Sequence, residues 1–155
     1  MIDFLSLLLS YGLPGLFTIL FLSASITPFP SDPAIIIALN YYDVTTVFVV
    51  SLLGSIIGGL TSYYIGLKGI HNFLVKRSPK EEKKAQKFVE KWGAYILIVA
   101  PWIPFIGDPM LIVAGSLEMN FRKFIIFSSI GKTVRVLGTI FAGQTILKIL
   151  SFLWI

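Results

Sequence analysis

The chain has 155 residues, of which 55% are hydrophobic and only 14% are charged, and its mean hydropathy is +0.85. Soluble domains carry about 25% charged residues, so this composition excludes an ordinary soluble protein and predicts a single all-α membrane domain over residues 1–155. The net charge of +5 does not indicate nucleic acid binding, because eight of the thirteen Lys and Arg lie within residues 68–91.

Apolar residues form blocks of two lengths along the chain. Residues 44–67 and 121–143 have the roughly 20 residues that a membrane crossing requires. Shorter blocks, at residues 13–26 with 34–40 and at residues 94–103 with 110–117, flank two proline-rich turns. Irregular backbone at this depth is tolerated only where protein or a water-filled cavity covers it. We therefore predict two re-entrant helical hairpins, with one kinked crossing as the alternative for residues 13–40.

The two turns repeat each other. Residues 27–38 align with residues 103–114 at an offset of 76, and residues 51–54 resemble 128–131 at an offset of 77. A hairpin plus one crossing reverses direction, so the second copy must be inverted, as in transporters built from paired interrupted helices. The positions predicted to shape the hairpins are Pro28, Pro30, Pro33, Pro104, Gly107 and Pro109.

These patterns divide the chain into repeat one (about 13–67), a basic linker (68–91), repeat two (about 92–143) and an apolar C-terminal helix (144–155). The apolar termini, residues 2–11 and 146–155, predict short interfacial helices. Basic loops are retained in the cytoplasm, so we expect a multi-pass protein of the inner or plasma membrane with its linker cytoplasmic. Residues 78–91 show helical charge spacing, which favours a position along the anionic inner surface.

Four charged residues interrupt the apolar segments: Asp32, Asp108, Lys132 and Arg135. Each costs about 2.5–3.5 kcal/mol at the centre of a membrane helix, so they need partners or water. Equal numbers of acids and bases predict a polar cavity between the repeats that serves substrate binding or transport. The alternative is that these residues form ion pairs that only fix the packing.

Small residues predict close helix packing, beginning with the Gly-x-x-x-Gly spacing in the first crossing. The glycines assigned to packing are Gly54, Gly58, Gly59, Gly115 and Gly131. No cysteine is present and the single histidine lies in the basic linker, so the sequence predicts no metal site and no cofactor. No nucleophile motif is present either, so we do not expect an enzyme.

Several motifs together carry a resemblance to a known family. They are Leu22-Ser23-Ala24-Ser25, Gly58-Gly59-Leu60-Thr61, Trp92-Gly93-Ala94, Pro104-Phe105-Ile106-Gly107-Asp108-Pro109, Ala114-Gly115 and Gly131-Lys132-x-x-Arg135. The chain resembles the YqaA-like branch of the DedA superfamily, also called VTT or SNARE-associated domain proteins, over residues 15–143. The Gly-Asp-Pro and Gly-Lys-x-x-Arg motifs are the most specific part of this resemblance.

The resemblance implies two re-entrant hairpins that face each other in the membrane. It also implies lipid translocation between leaflets, as described for members that recycle undecaprenyl phosphate, support proton-motive force or scramble phospholipids. Asp32 matches the family acid that follows the first turn. Two features depart from the pattern: arginines are missing at Pro101 and Gly107, and residues 23–27 contain no glutamate.

Three functions remain open at this point. The first is translocation of lipids, the partners that the resemblance implies, with Lys132 and Arg135 guiding a head-group phosphate alongside the N-terminal ends of the second hairpin arms. Asp32 and Asp108 would then position the bases or carry protons as the coupling ion. The second is a proton- or ion-coupled carrier of a small anion, and the third is a membrane scaffold that transports nothing.

Overall fold

The computed structural model describes residues 4–25, 31–68, 79–103 and 107–153, and within these ranges the chain is helical apart from short turns. No strand occurs among the described residues, which confirms the all-α class. The helices are α1 (Phe4–Ser25), α2 (Asp32–Ala38), α3 (Val44–Leu67), α4 (Pro79–Trp92), α5 (Ile96–Val99), α6 (Gly107–Ser116) and α7 (Phe121–Leu153).

Two helices are long and apolar enough to cross a membrane. They are α3, with 24 residues, and α7, whose apolar stretch covers Phe121–Ile149. Both coincide with the predicted crossings. Large apolar side chains lie exposed along both helices, among them Leu53 and Ile57 of α3 and Ile130 and Phe141 of α7. An apolar surface of this extent needs a lipid or protein partner.

The predicted C-terminal helix is not a separate element. Helix α7 continues without a break through residue 146 to Leu153, because residues 144–153 contain neither Gly nor Pro to end it. At the other end, Gly12 has φ 58° and ψ −128° and interrupts α1, a conformation that favours glycine. The segment before Gly12 therefore forms its own short stretch of helix.

The first arm of the second hairpin differs from the regular half-helix predicted for residues 94–103. The short helix α5 lies between two 3₁₀ turns, Gly93–Tyr95 and Ala100–Trp102. Gly93 has a positive φ of 57°, and Pro101 has no amide to donate. Together they prevent a continuous α-helix in this arm.

The second arms of the two hairpins begin at equivalent positions. Helix α2 starts at Asp32 and has Pro33 in its first turn, while α6 starts at Gly107 and has Pro109 in its first turn. Proline is tolerated there because the amide it lacks would have no partner within the helix. The predicted turn residues Pro28, Pro30 and Pro104 lie outside the described residues.

Equivalent glycines make equivalent packing contacts. A Cβ on Gly54 would lie 3.2 Å from the Cβ of Leu20, and one on Gly131, 77 positions later, would lie 2.6 Å from the carbonyl oxygen of Leu97. Leu20 and Leu97 are also 77 positions apart. Each crossing helix thus packs closely against the first arm of its own hairpin.

A second set of contacts joins the two repeats. Gly66 of α3 lies against the backbone of Ile112 in α6, and Gly143 of α7 lies against Ile36 and Leu39 in α2. The offsets are again 77 between the glycines and 76 between the two isoleucines. Each crossing helix therefore packs on the second arm of the other hairpin, which places both hairpins around one centre.

Serine hydroxyls donate hydrogen bonds to carbonyl groups near the end of α1, because the last carbonyls of a helix have no partner within it. The buried Ser62 Oγ donates to the Ala24 carbonyl at 2.7 Å, and Ser25 Oγ donates to the Phe21 carbonyl at 2.7 Å. Helix α3 therefore supplies, through Ser62, a hydrogen-bond donor for a carbonyl at the end of α1.

Asp43 forms the N-cap of α3. The Thr46 amide donates to its Oδ2 at 2.9 Å, and the Thr46 hydroxyl donates to Oδ1 at 2.8 Å. The hydrogen bond that the Thr46 amide donates holds the pKa of the Asp43 carboxyl below its ordinary value. The cap therefore stabilises the fold above the ordinary pKa, and this contribution is lost as the pH falls through the lowered pKa.

Replacing Gly58 by Ala should lower the melting temperature in detergent, measured by circular dichroism. A Cβ there would lie 2.6 Å from the Phe21 carbonyl oxygen and 2.8 Å from the Ala24 Cβ, neither of which can move aside. Overpacking costs about 1–3 kcal/mol, which exceeds the roughly 1 kcal/mol that Ala gains over Gly in a helix.

Gly143→Ala is the matched control, because its Cβ would meet movable side-chain atoms of Ile36 and Leu39 at 3.0 and 3.2 Å. We expect a smaller loss there. A Gly58→Ala protein as stable as the parent would contradict the tight α1–α3 contact.

Candidate functional site

One face of α7 carries polar side chains in the middle of an apolar helix. Lys132, Arg135 and Thr139 follow one another at spacings of three and four, which places them on the same side. Thr139 was not predicted as a site residue, although its spacing from the two bases would have revealed it.

The first interaction at this face is an ion pair. Arg135 Nη2 donates to Asp32 Oδ2 at 3.1 Å, and Thr139 Oγ1 donates to Asp32 Oδ1 at 3.2 Å. The carboxylate at the start of α2 is therefore held through both oxygens by α7. The side chains of Arg135 and Asp32 remain 33% and 43% exposed, so the pair is accessible to a ligand.

Lys132 occupies the buried end of the same face and is only 6% exposed. Its Nζ donates to the backbone carbonyl of Ser55 in α3. In a helix, a side chain covers the turn that precedes it. Gly59 has no side chain, so the Ser55 carbonyl, one turn earlier in α3, stays open to Lys132. A Cβ on Gly59 would lie 2.5 Å from Lys132 Nζ and 3.0 Å from its Cε.

Gly59 was predicted to serve helix packing alone. In the structure it lies against the ammonium group of Lys132, and Leu111 of α6 is 3.5 Å from the same Cβ position. Gly59 is therefore part of the site as well as of a helix interface. In the sequence, Gly59 directly follows the Gly-x-x-x-Gly spacing of Gly54 and Gly58, which indicates helix packing but not a contact with Lys132.

A cavity of about 40 Å³ connects these groups. A buried water needs about 10–15 Å³, so the cavity has room for a few water molecules. Both hairpins contribute to its wall, through Asp32 from the first and Gly107 from the second. The polar residues that line it are Ser31, Asp32, Ser55, Lys132, Arg135 and Thr139, and the other lining residues are Leu20, Ile35, Ala100, Pro101, Leu111 and Val136.

The structure brings together three of the four predicted charged residues: Asp32, Lys132 and Arg135. The fourth, Asp108, is in the first turn of α6 next to the cavity-lining Gly107, and its side chain lies outside the described part of the structure. The sequence left the pairing of acids and bases open. The geometry assigns Asp32 to Arg135.

Other predicted residues lie near this centre without contacting the ion pair. Gly54 and Gly58 pack on α1, Gly131 packs on the Leu97–Ile98 backbone, and Gly115 lies against the Tyr63 carbonyl. Within the described segments, no group of three or more His, Cys, Asp or Glu residues comes together. Among the side chains that the structure describes, the charge at this site comes from one carboxylate, Asp32, and two cations, Lys132 and Arg135.

Comparison with known proteins decides the family. The model for the VTT domain matches residues 29–145, about three quarters of the chain. The chain belongs to the VTT-domain family, the DedA superfamily. This VTT-domain protein lies in the YqaA-like branch: it is 27% identical to the inner membrane protein YqaA of Escherichia coli (strain K12) over 124 residues, which are 78% of this chain and 83% of the relative.

Two further relatives extend the comparison. The VTT-domain protein is 25% identical to undecaprenyl phosphate transporter A of Staphylococcus aureus over 151 residues, covering 88% of this chain and 74% of the relative. It is 29% identical to protein DedA of Escherichia coli (strain K12), covering 83% and 65%. No solved structure matches the chain. These relatives support a membrane location, in agreement with the two apolar crossing helices.

Asp32 and Arg135 should show energetic coupling in a double-mutant cycle. Removing either side chain leaves the other charge unpaired, so the double variant Asp32→Ala with Arg135→Ala should be less destabilised than the sum of the single variants. Coupling within one ion-pair network is about 0.5–3 kcal/mol, and partial exposure favours the lower half of this range.

The measurement is the free energy of unfolding in detergent, and Asp32→Ala with Lys148→Ala is the control pair, because Lys148 is exposed on the same helix. Additive effects for Asp32 and Arg135 would contradict a stabilising pair.

Gly59→Ala should lower the melting temperature because the new Cβ meets Lys132. Truncating that side chain removes both close contacts, so Gly59→Ala should be much less harmful in a Lys132→Ala background. Thermal unfolding of the four proteins in detergent tests this rescue. An equal loss in both backgrounds would place the clash elsewhere, at the contact with α6.

Proposed function

We propose that this VTT-domain protein is a transporter that moves lipids with a phosphate head group between the two leaflets of a cell membrane. The observation that carries the proposal is the cluster of Asp32, Arg135 and Lys132 around one cavity, where two apolar crossing helices and both hairpins meet. Ionisable groups inside a membrane domain mark substrate and ion pathways.

The charges at the cavity suit a phosphate ligand. Arg135 presents a planar set of donors that matches phosphate oxygens, and Lys132 adds a second positive charge on the same face. Arg135 is already paired with Asp32, so an incoming phosphate competes with this carboxylate for the guanidinium group.

The repeat offers a route between the leaflets. We propose that the two hairpins are re-entrant and that the repeats are inverted, with the linker at residues 68–91 in the cytoplasm. The paired contacts at Gly54 and Gly131, and at Gly66 and Gly143, support this arrangement because equivalent residues pack in equivalent ways. In an inverted repeat, substrates bind near the membrane midplane where the interrupted helices meet.

The exposed side of the cavity indicates how a lipid would use it. Asp32 and Arg135 remain accessible there. A head group would enter from that side, while the acyl tails stay in the bilayer. Breaking and re-forming the Asp32–Arg135 pair is the local change that would accompany this movement.

The relatives support transport rather than catalysis. One of them is named as an undecaprenyl phosphate transporter, and it shares 25% identity over most of this chain. We propose the same broad activity here and no enzymatic step. The substrate class is a phosphate-bearing lipid, with membrane phospholipids and polyprenyl phosphates as the two candidates.

The decisive experiment is lipid movement in reconstituted vesicles. A fluorescent phospholipid and a polyprenyl phosphate are followed separately for the wild type, Arg135→Ala and Lys132→Ala. Charged hydrogen bonds contribute about 1.5–3 kcal/mol, so losing one should slow movement about tenfold or more. Lys148→Ala removes an exposed charge from the same helix and should leave the rate unchanged.

Each outcome separates the functions that the sequence left open. Dependence on Arg135 and Lys132 for either lipid supports a lipid transporter and identifies its substrate. If neither lipid moves, uptake of a water-soluble phosphate compound by the same vesicles would point to a small-anion carrier. Absence of all movement from folded, inserted protein would contradict transport and favour a scaffold.

A further inference from the structure

Helix α4 carries charge that the transport site does not use. Residues 68–91 hold eight Lys and Arg against three Glu, a net charge of +5, which equals the net charge of the whole chain. The rest of the chain is therefore balanced. Helix α4, Pro79–Trp92, lies within this segment and is fixed to the body of the protein by Val89, which is 3% exposed and packs in the same core as Leu97 and Met110.

The surface of α4 is divided into two unlike faces. Phe88 and Trp92 are four residues apart, so they lie on one side of the helix, and they are 37% and 54% exposed. At 100° per residue, the exposed Lys84 and Lys91 lie about 40° and 60° from Phe88, and the exposed Lys87 lies about 100° from it, at the edge of this side. We call these five residues the basic-aromatic face.

One acid of α4, Glu90, lies away from the two rings. Glu90 lies on the opposite side, where its Oε1 accepts a hydrogen bond from Gln86 Nε2 at 2.9 Å. On the basic-aromatic face, Lys91 Nζ is 5.6 Å from the centre of the Trp92 ring, which is within cation–π range. Glu81, seven residues before Phe88, falls on this side by the same spacing, so the face combines exposed rings with an excess of cations over acids.

The segment that follows α4 indicates what kind of surface the basic-aromatic face meets. Tyr95, Val99 and Trp102 come next along the chain and are 68%, 51% and 54% exposed. They belong to the first arm of the second hairpin, in a protein whose other exposed apolar faces require lipid. Aromatic residues collect where a chain passes from water into the bilayer. Trp92 is thus at the transition between a basic helix and an apolar arm.

We propose that the basic-aromatic face of α4 binds anionic phospholipid head groups at the membrane surface. Phe88 and Trp92 enter the head-group layer, and Lys84, Lys87 and Lys91 contact lipid phosphates. Helices with this combination of residues lie in the membrane interface and respond to its negative charge. The site is separate from the transport cavity, and it does not depend on the proposed function.

The absence of cysteine from the sequence makes a direct test possible. An environment-sensitive fluorophore is attached to Phe88→Cys, and in a second protein to Glu90→Cys on the opposite face. Both are reconstituted into vesicles of phosphatidylcholine alone and of phosphatidylcholine with phosphatidylglycerol. We expect a blue shift at position 88 that grows when phosphatidylglycerol is present and shrinks at high salt, and no such change at position 90.

Charge specificity is tested in the same vesicles. The combined change Lys84→Gln, Lys87→Gln and Lys91→Gln should abolish the dependence on phosphatidylglycerol. The matched control Arg122→Gln, Lys123→Gln and Lys148→Gln removes three exposed charges outside α4 and should retain it. Circular dichroism melting checks that each variant folds, and Trp92→Cys replaces Phe88→Cys as the labelled position if the latter does not.

Three results would overturn the proposal. Equal responses at positions 88 and 90 would mean that α4 has no preferred membrane face. Equal loss in the two triple variants would assign the effect to net charge alone. A label at position 88 that stays in water with both kinds of vesicle would show that lipid does not cover the face, and would leave an acidic soluble protein as its partner.

Discussion

The ends of a helix leave backbone groups without a partner inside that helix, and the rest of this structure depends on how such groups are satisfied at α1 and α2. Helix α1 stops at Ser25 because α3 brings the hydroxyl of Ser62 to the Ala24 carbonyl. Helix α2 resumes at Asp32, whose carboxylate is held by Arg135 and Thr139 of α7. The interruption of one hairpin is thus supported by both crossing helices.

The two repeats meet this requirement with different side chains. Positions 55, 58 and 62 of α3 correspond, at an offset of 77, to positions 132, 135 and 139 of α7. The first set is Ser, Gly and Ser, whereas the second is Lys, Arg and Thr. Lys132 reaches the carbonyl of Ser55, its own equivalent position. Two small residues of the first repeat, Ser55 and Gly59, therefore leave the space that Lys132 of the second repeat fills.

Much of this arrangement could be predicted from sequence. Block lengths gave the two crossings, the offset of 76 related the starts of α2 and α6, and the isolated charges pointed to Asp32, Lys132 and Arg135. Other features depend on three-dimensional contacts that periodicity does not encode. The contact between Gly59 and Lys132 joins two distant helices, and the irregular arm around α5 arises where Gly93 and Pro101 act on one short segment.

The unbroken length of α7 also relates the site to the thickness of the surrounding bilayer. Thirty-three residues form a helix of about 50 Å, whereas the hydrocarbon layer is about 30 Å thick. The helix must therefore tilt or extend beyond this layer. Arg135 and Lys132 lie on this helix, and Gly143 of the same helix packs on α2. Bilayer thickness therefore limits how α7 can tilt while the contacts with α2, including the Asp32–Arg135 pair, are kept.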